Sequence, residues 1–374
     1  MKKIIRYVLI TVAVLLLILV ATPFLIPADQ VRQFVEEEAS KAAGMPVKIE
    51  ALSVRLIPAP SLSIKKLTVE DVKGGTPKLA VASGSLAVEL APLFDGHAEI
   101  SGITFKEIVL RVSEKAKGKD VHIVRIDSVS GAIQLTGDTL TMPNWKLKLY
   151  DGNVMMNAKL TPLEGKKRTL TADINAAEIQ MLTLMQDAAG QDKVSGTFGS
   201  SLKISAQGAS EKAMQQSLKV DGPVHMTKGQ FEGVGLSGVA AALVHGNVTG
   251  ASGAILFDTF KTQLKARGQD IYLKDIVLDA SAFDASGHVD IKGSGKLDGQ
   301  IDTSGVGGLS GAKLLVGGTT ESPRIYPAPS SLIGGTIGAA VGGPTGAAAG
   351  SKVGGAAGNA VESIGGGMKG LFGK

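Results

Sequence analysis

The 374-residue sequence has no cysteine. Disulfides, thiolate nucleophiles and cysteine-held metal clusters are therefore excluded, while the compartment stays open. Aromatic residues make up only 4% of the chain, with a single tryptophan, so the stacking platforms of single-strand nucleic-acid binders are missing. The 39 basic and 34 acidic residues leave a net charge of +5 and are interspersed along the chain. No basic stripe forms, which argues against a nucleic-acid partner and fits nearness to anionic lipid. The five histidines, His97, His122, His225, His245 and His288, stand apart. Without an H-x-H or H-E-x-x-H spacing they give no zinc site. A G-x-x-x-x-G-K-[ST] phosphate loop and a G-x-S-x-G elbow are also missing. These absences lead to the expectation of a protein that is not an enzyme and uses no cofactor or metal.

What the chain does contain begins with "MKKIIRYVLITVAVLLLILVATPFLIP". Lys2, Lys3 and Arg6 precede an uncharged apolar run from Tyr7 to Ile26, with Leu15, Leu16 and Leu17 at its centre. About 20 such residues span roughly 30 Å as a helix, the thickness of a bilayer's hydrocarbon core. The run is long for a signal peptide, and Pro23 and Pro27 crowd the region where cleavage would fall. Residues 1–27 are expected to be an uncleaved anchor, and the positive-inside rule leaves its N-terminus in the cytoplasm and exports the rest.

Residues 28–44 read as a short amphipathic helix: Asp29 can cap it, Val31, Phe34, Val35 and Ala39 share a face, and Gly44 ends it. From Val47 the apolar period becomes two. "VKIEALSVRL", "SLSIKKLTVE", "GITFKEIVLRV", "NWKLKLY", "NVMMNAKL", "SLKISAQG", "IYLKDIVLDA" and "GHVDIKGSGKLDGQI" are short strands with one apolar and one polar face. Several carry a phase slip, as at Lys65–Lys66, which predicts β-bulges. Beyond the first helix, only Ala176–Ala189 and Ser210–Gln216 read as helical. The expected fold is mainly β: a long antiparallel sheet over residues 45–330, with a sub-boundary near 113–120, behind a transmembrane helix. Such a sheet must hide its apolar face, as a barrel, a sandwich or a curled groove.

Several stretches, in order, resemble the AsmA family. They are "MPVKIEALSVRLIPAPSLSIKKLTVED", "SLAVELAPLFDGHAEISGITFKEIVLRV", "WKLKLYDGNVMMNAKLTP", "LKVDGPVHMTKGQFEGVGL" and "GGTTESPRIYPAPS", and they are spread along the chain from Met45 to Ser330. The resemblance implies a protein anchored in a bacterial inner membrane, with its bulk in the periplasm and a role in outer-membrane biogenesis and lipid homeostasis. It also implies a curled sheet whose apolar groove shields phospholipid. Inward strand residues such as Phe105, Leu110, Trp145, Leu147 and Met156 would line that groove, or would simply be core. The alternative function is a scaffold or assembly factor that works through protein contacts, such as pairing by exposed edge strands.

Residues 331–374 depart most from the family pattern. Gly334, Gly338, Gly342, Gly346, Gly350, Gly354 and Gly358 recur every fourth position, and Lys352 is the one charge between Leu332 and Val361. Small residues at this spacing form a helix stripe suited to close packing in lipid or between copies. Gly342-Gly343-Pro344 breaks the run, and a flexible linker is the competing reading. The expected partners are therefore phospholipid, the inner membrane, and envelope proteins or further copies of the chain.

Overall fold

The computed structural model describes residues 28–55, 60–70, 78–89, 98–113, 121–163, 167–232, 254–281, 283–304, 311, 313–320 and 322–328. The expected anchor, the glycine stripe and most of the proposed 113–120 boundary lie outside them. No helix among the described residues is long and apolar enough to cross a membrane.

A first helix, α1 (Ala28–Ala43), precedes β1 (Val47–Arg55), β2 (Ser61–Val69), β3 (Leu79–Glu89), β4 (Ala98–Ser113) and β5 (Val121–Thr136). Next come β6 (Thr139–Leu149), β7 (Gly152–Thr161), β8 (Arg168–Gln180), α2 (Met181–Ala189), β9 (Val194–Gly208), α3 (Glu211–Ser217) and β10 (Lys219–Glu232). The described chain ends with β11 (Ala254–Arg267), β12 (Asp270–Ala280), β13 (Phe283–Ile291), β14 (Leu297–Ser304), β15 (Lys313–Gly318) and β16 (Pro323–Pro327). The sixteen strands lie in one antiparallel sheet in sequence order, each bonded to the next, and the sheet does not close into a barrel. One sheet thus forms where two packed sheets were the competing expectation. Two compact units can be distinguished: Met1–Gln191 with Gly199–Val220, and Asp192–Phe198 with Asp221–Lys374.

The phase slips have a regular cause. Each even-numbered strand from β2 to β12 holds one non-glycine residue with positive φ: Lys66 (49°), Glu107 (52°), Asn144 (54°), Glu178 (61°), Lys228 (50°) and Asp275 (51°). Each sits where the spacing of residues on the apolar face widens from two to three, as from Ile64 to Leu67, Phe105 to Ile108 and Leu273 to Ile276. The left-handed residue lets two successive side chains face away, and the apolar set then returns to its original face. Around Lys66 the register is unchanged, with Ile49 opposite Leu67 and Ala51 opposite Lys65, then Leu67 opposite Val81 and Lys65 opposite Ser83. Neighbouring strands therefore take this slip together, and a salt bridge from Lys66 to Glu50 (3.1 Å) crosses it. At Asn144 and Asp275 the register does shift, so those slips are the expected bulges.

A left-handed conformation costs a non-glycine residue about 1–2 kcal/mol and is worst for β-branched side chains. Glu107→Val is therefore expected to lower stability by roughly that amount, while Glu107→Gly leaves it unchanged or slightly higher. Urea midpoints would check this, and an unchanged midpoint for the valine variant would mean that the backbone there is free to relax.

Within the first unit, α1 packs Val31 and Val35 against Ile49, Leu52 and Leu62. Gly44 ends the helix with φ 66° and donates its N–H to the Ser40 carbonyl at 2.9 Å. Three α1 side chains also serve the backbone of β1, the first strand of the sheet. The Ile49 N–H donates to the Glu36 carboxylate (2.6 Å), Arg32 donates to the Ile49 carbonyl (3.1 Å), and the Val47 N–H donates to Ser40 Oγ (2.8 Å). At the other end of the sheet order, β16 is five residues long and has proline at both ends. Both devices blunt an edge strand against pairing with another chain.

The helix expected over Ala176–Ala189 begins only at Met181, because residues up to Gln180 continue β8. Ala176 pairs with Val154 and Ile179 is buried, so cross-strand packing wins over local helix propensity. Gly190 closes α2 in a left-handed cap, and Asp187 on α2 forms a 2.6 Å ion pair with Arg125 of β5. The third helix matches its expected position, with Ser210 Oγ accepting the Ala213 N–H at 3.2 Å as N-cap.

Candidate functional site

The second unit carries an apolar pocket of about 400 Å³ on one face of its strands. Its floor comes from buried side chains: Met226 of β10, Ile276 and Leu278 of β12, Phe283 and Ala285 of β13, and Leu314 of β15. Around them stand Phe231, Ile255, Phe260 and Leu273 on one side. Val289, Ile301, Val316 and Ile325 complete the lining, and no residue of it is polar. Alternation in β12 explains the arrangement. After the slip at Lys274–Asp275, Ile276, Leu278 and Ala280 all turn to the buried side, and Val277 turns outward with 50% of its surface exposed.

Aromatic packing beside the pocket needs glycine. Phe231 stacks on Phe257 with centroids 4.7 Å apart, and Phe260 meets Phe231 edge-on at 5.6 Å. Phe257 lies directly over Gly229, where a Cβ would collide with the ring and sit 2.5 Å from the Ser195 carbonyl. Gly196, at φ 123°, brings its backbone against Gly229, where a Cβ would come within 2.8 Å of the Gly229 Cα. These two glycines in β9 and β10 thus make room for the aromatic trio.

Several polar groups of the same strands are partnered with one another. Lys274 pairs with Asp290 at 2.6 Å and Lys292 with Asp270 at 3.4 Å. Both ammonium groups also sit near the Tyr272 ring, at 5.5 and 5.0 Å from its centroid. The Gly293 N–H, with help from Lys292 and Tyr272, holds the Asp270 carboxyl below the usual carboxylate range. Its hydrogen bond to Asp270 raises Lys292 above the ordinary lysine range. Among the described residues no three histidine, aspartate or glutamate side chains come together in a way that could hold a metal ion. What the pocket lining itself offers is apolar burial.

The groove residues expected from the sequence all fall in the first unit. Cross-strand partners place Phe105, Val129, Leu147, Val154 and Ala176 in one row from β4 to β8. Trp145, Met156 and Ile174 form a neighbouring row. Leu110, opposite Leu79 and Val124, is 40% exposed, while Phe105, Trp145, Leu147 and Met156 are half-buried. Trp145 is fixed on the sheet: its ring covers Gly131 and its Nε1 donates to the Ala132 carbonyl at 2.7 Å. Phe105 likewise covers Gly84. Sequence reasoning finds an apolar face in the first unit and misses the pocket in the second. The available signal is three phenylalanines, Phe231, Phe257 and Phe260, in an otherwise aromatic-poor chain.

Comparison with known proteins bears on the N-terminal part. The AsmA family model matches residues 1–121, roughly a third of the chain, from its start to the first residue of β5. No curated protein and no solved structure matches. The pocket lies beyond the matched stretch. Residues 1–121 thus match the AsmA family, the family that the sequence resembles.

Proposed function

We propose that this protein shields the acyl chains of phospholipid on the apolar face of its sheet and serves outer-membrane biogenesis or lipid homeostasis without a catalytic step. The match of residues 1–121 to the AsmA family supports a general role in the cell envelope. The observation that carries the specific reading is the pocket of about 400 Å³ whose lining is wholly apolar. Burial stabilises an alkyl chain by about 0.8 kcal/mol per CH₂, so a few methylenes taken into such a pocket give useful affinity, and a headgroup left outside keeps its water. In this proposal residues 1–27 hold the chain in the inner membrane, with the N-terminus in the cytoplasm and the sheet in the periplasm. The half-buried rows around Phe105 and Trp145 would offer the same apolar service in the first unit. A scaffold that pairs by its edge strands gains little support, since α1 covers part of β1 and proline bounds β16.

Photo-crosslinking amino acids test the reading in envelopes of cells that make the full chain. Probes at Phe260 and Ile301, and at Phe105, Leu110, Trp145, Leu147 and Met156, are expected to yield phospholipid adducts by mass spectrometry. A probe at Val277, on the opposite face, is expected to yield none. If no pocket or row position gives a lipid adduct, the protein does not carry lipid on this face.

A further inference from the structure

The same pocket has a candidate occupant within the chain. Ile325 of β16 lines it, and the described chain ends three residues later at Ala328, leaving residues 329–374 to continue from that strand. The first large side chains of the continuation are Leu332, Ile333, Ile337 and Val341. Ile333, Ile337 and Val341 repeat every fourth position, the spacing of one helical face. No charge interrupts the continuation before Lys352, so nothing in residues 331–341 resists transfer into an apolar site. From Ile325 to Ile333 an extended chain reaches at most about 3.3–3.6 Å per residue, enough to turn back over a pocket that the same strand borders. A segment tethered this closely competes at an effective concentration in the millimolar range for a short flexible link.

We infer that residues 333–341 occupy the pocket when no acyl chain is bound, so that the tail is a built-in competitor and lipid enters by displacing it. The inference rests on the reading of the pocket as an acyl-chain site. It gives the start of the tail a role separate from membrane contact, since Ile333, Ile337 and Val341 engage the protein's own sheet. An occupied pocket also avoids presenting a dry apolar surface to water while the protein is empty.

Two measurements on the full-length chain decide it. Because the sequence has no cysteine, a Val316→Cys, Ile337→Cys pair has no background thiol. Mild oxidation in isolated membranes is expected to close an intramolecular disulfide, and a Val277→Cys, Ile337→Cys pair is expected not to close. No disulfide at Val316→Cys, or one that joins two chains, overturns the inference; in the second case the occupant is another copy's tail. The second measurement titrates a pyrene-labelled long-chain alcohol against the wild type and the Ile333→Lys, Ile337→Lys, Val341→Lys variant, whose pocket is untouched. If the tail holds the pocket about nine-tenths of the time, the variant binds the probe about tenfold more tightly. Equal affinities overturn the plug and leave the acyl-chain reading standing. A disulfide that forms in a protein to which the probe never binds, in either version, supports the plug and sinks the acyl-chain reading.

Discussion

Leu273→Asp is expected to weaken binding of the pyrene-labelled alcohol by about a hundredfold, which corresponds to roughly 3 kcal/mol. Leu273 is half-buried at the side of the pocket, and every neighbour that lines the site is apolar. In the Ile333→Lys, Ile337→Lys, Val341→Lys background, where the tail leaves the pocket free, a carboxylate there keeps its water while the pocket is empty. An alkyl chain in the site expels that water and offers no hydrogen bond, so the desolvation cost falls on the bound state alone. Two controls separate this from loss of fold. Val277→Asp adds the same charge further along β12, on the opposite, exposed face, and is expected to change affinity less than about twofold. Leu273→Ala removes packing without adding charge and is expected to cost only about 1–2 kcal/mol.

The pH dependence supplies the sign. Desolvation by the bound chain raises the pKa of the carboxyl introduced by Leu273→Asp, so the bound state takes up a proton that the free state lacks. Binding by this variant should therefore strengthen as pH falls toward and below the carboxylate range, whereas the wild type stays flat there. Fluorescence titrations at several pH values would check both parts. A hundredfold loss that persists unchanged at low pH would point to a distorted pocket, and wild-type affinity for the variant would show that the chain does not enter.

Much of the sheet is legible in the sequence because its strands are amphipathic and their turns are marked. Leu62, Ile64, Leu67 and Val69 announce both the apolar face of β2 and its slip. The regularity of those slips is not legible, since it depends on which residue takes a positive φ and on whether the neighbouring strand slips in step. Lys66 and Asp275 look alike in sequence, as polar residues beside a lysine, yet the register holds at the first and shifts at the second. Sequence pattern starts the second helix at Ala176 instead of Met181 because Ala176, Ile179 and their neighbours fit a helical face as well as a strand; only pairing with β7 decides between them. The pocket is hidden for a related reason. Alternation says which residues share a face, but the shape of the pocket depends on how Gly196 and Gly229 let two strands and three aromatic rings approach. The matched family region stops before all of the pocket residues.

Val35→Asp is expected to destabilise the first unit by about 3 kcal/mol or more, since it places a carboxylate without a partner among apolar groups. Val35 is 6% exposed and packs with Val31 on Ile49, Leu52 and Leu62, a cluster centred on one of the most deeply buried isoleucines of the described chain, Ile49. The larger consequence concerns the edge. Loss of α1 from the sheet withdraws the Glu36 acceptor and the Arg32 donor from Ile49 and the Ser40 acceptor from Val47. Backbone groups that the helix had satisfied then face outward on the first strand of a sixteen-stranded sheet. Such an edge is a template for another strand, and concentration-dependent association should follow. Light scattering on the full-length chain in detergent is expected to show monomer for the wild type under conditions where the variant forms larger species. Adding Ile49→Pro to Val35→Asp removes the donor at the same edge and should suppress association without restoring stability. Association that survives the proline would have to come from exposed apolar surface, and the helix would then be a cover for the core instead of a stopper for the strand.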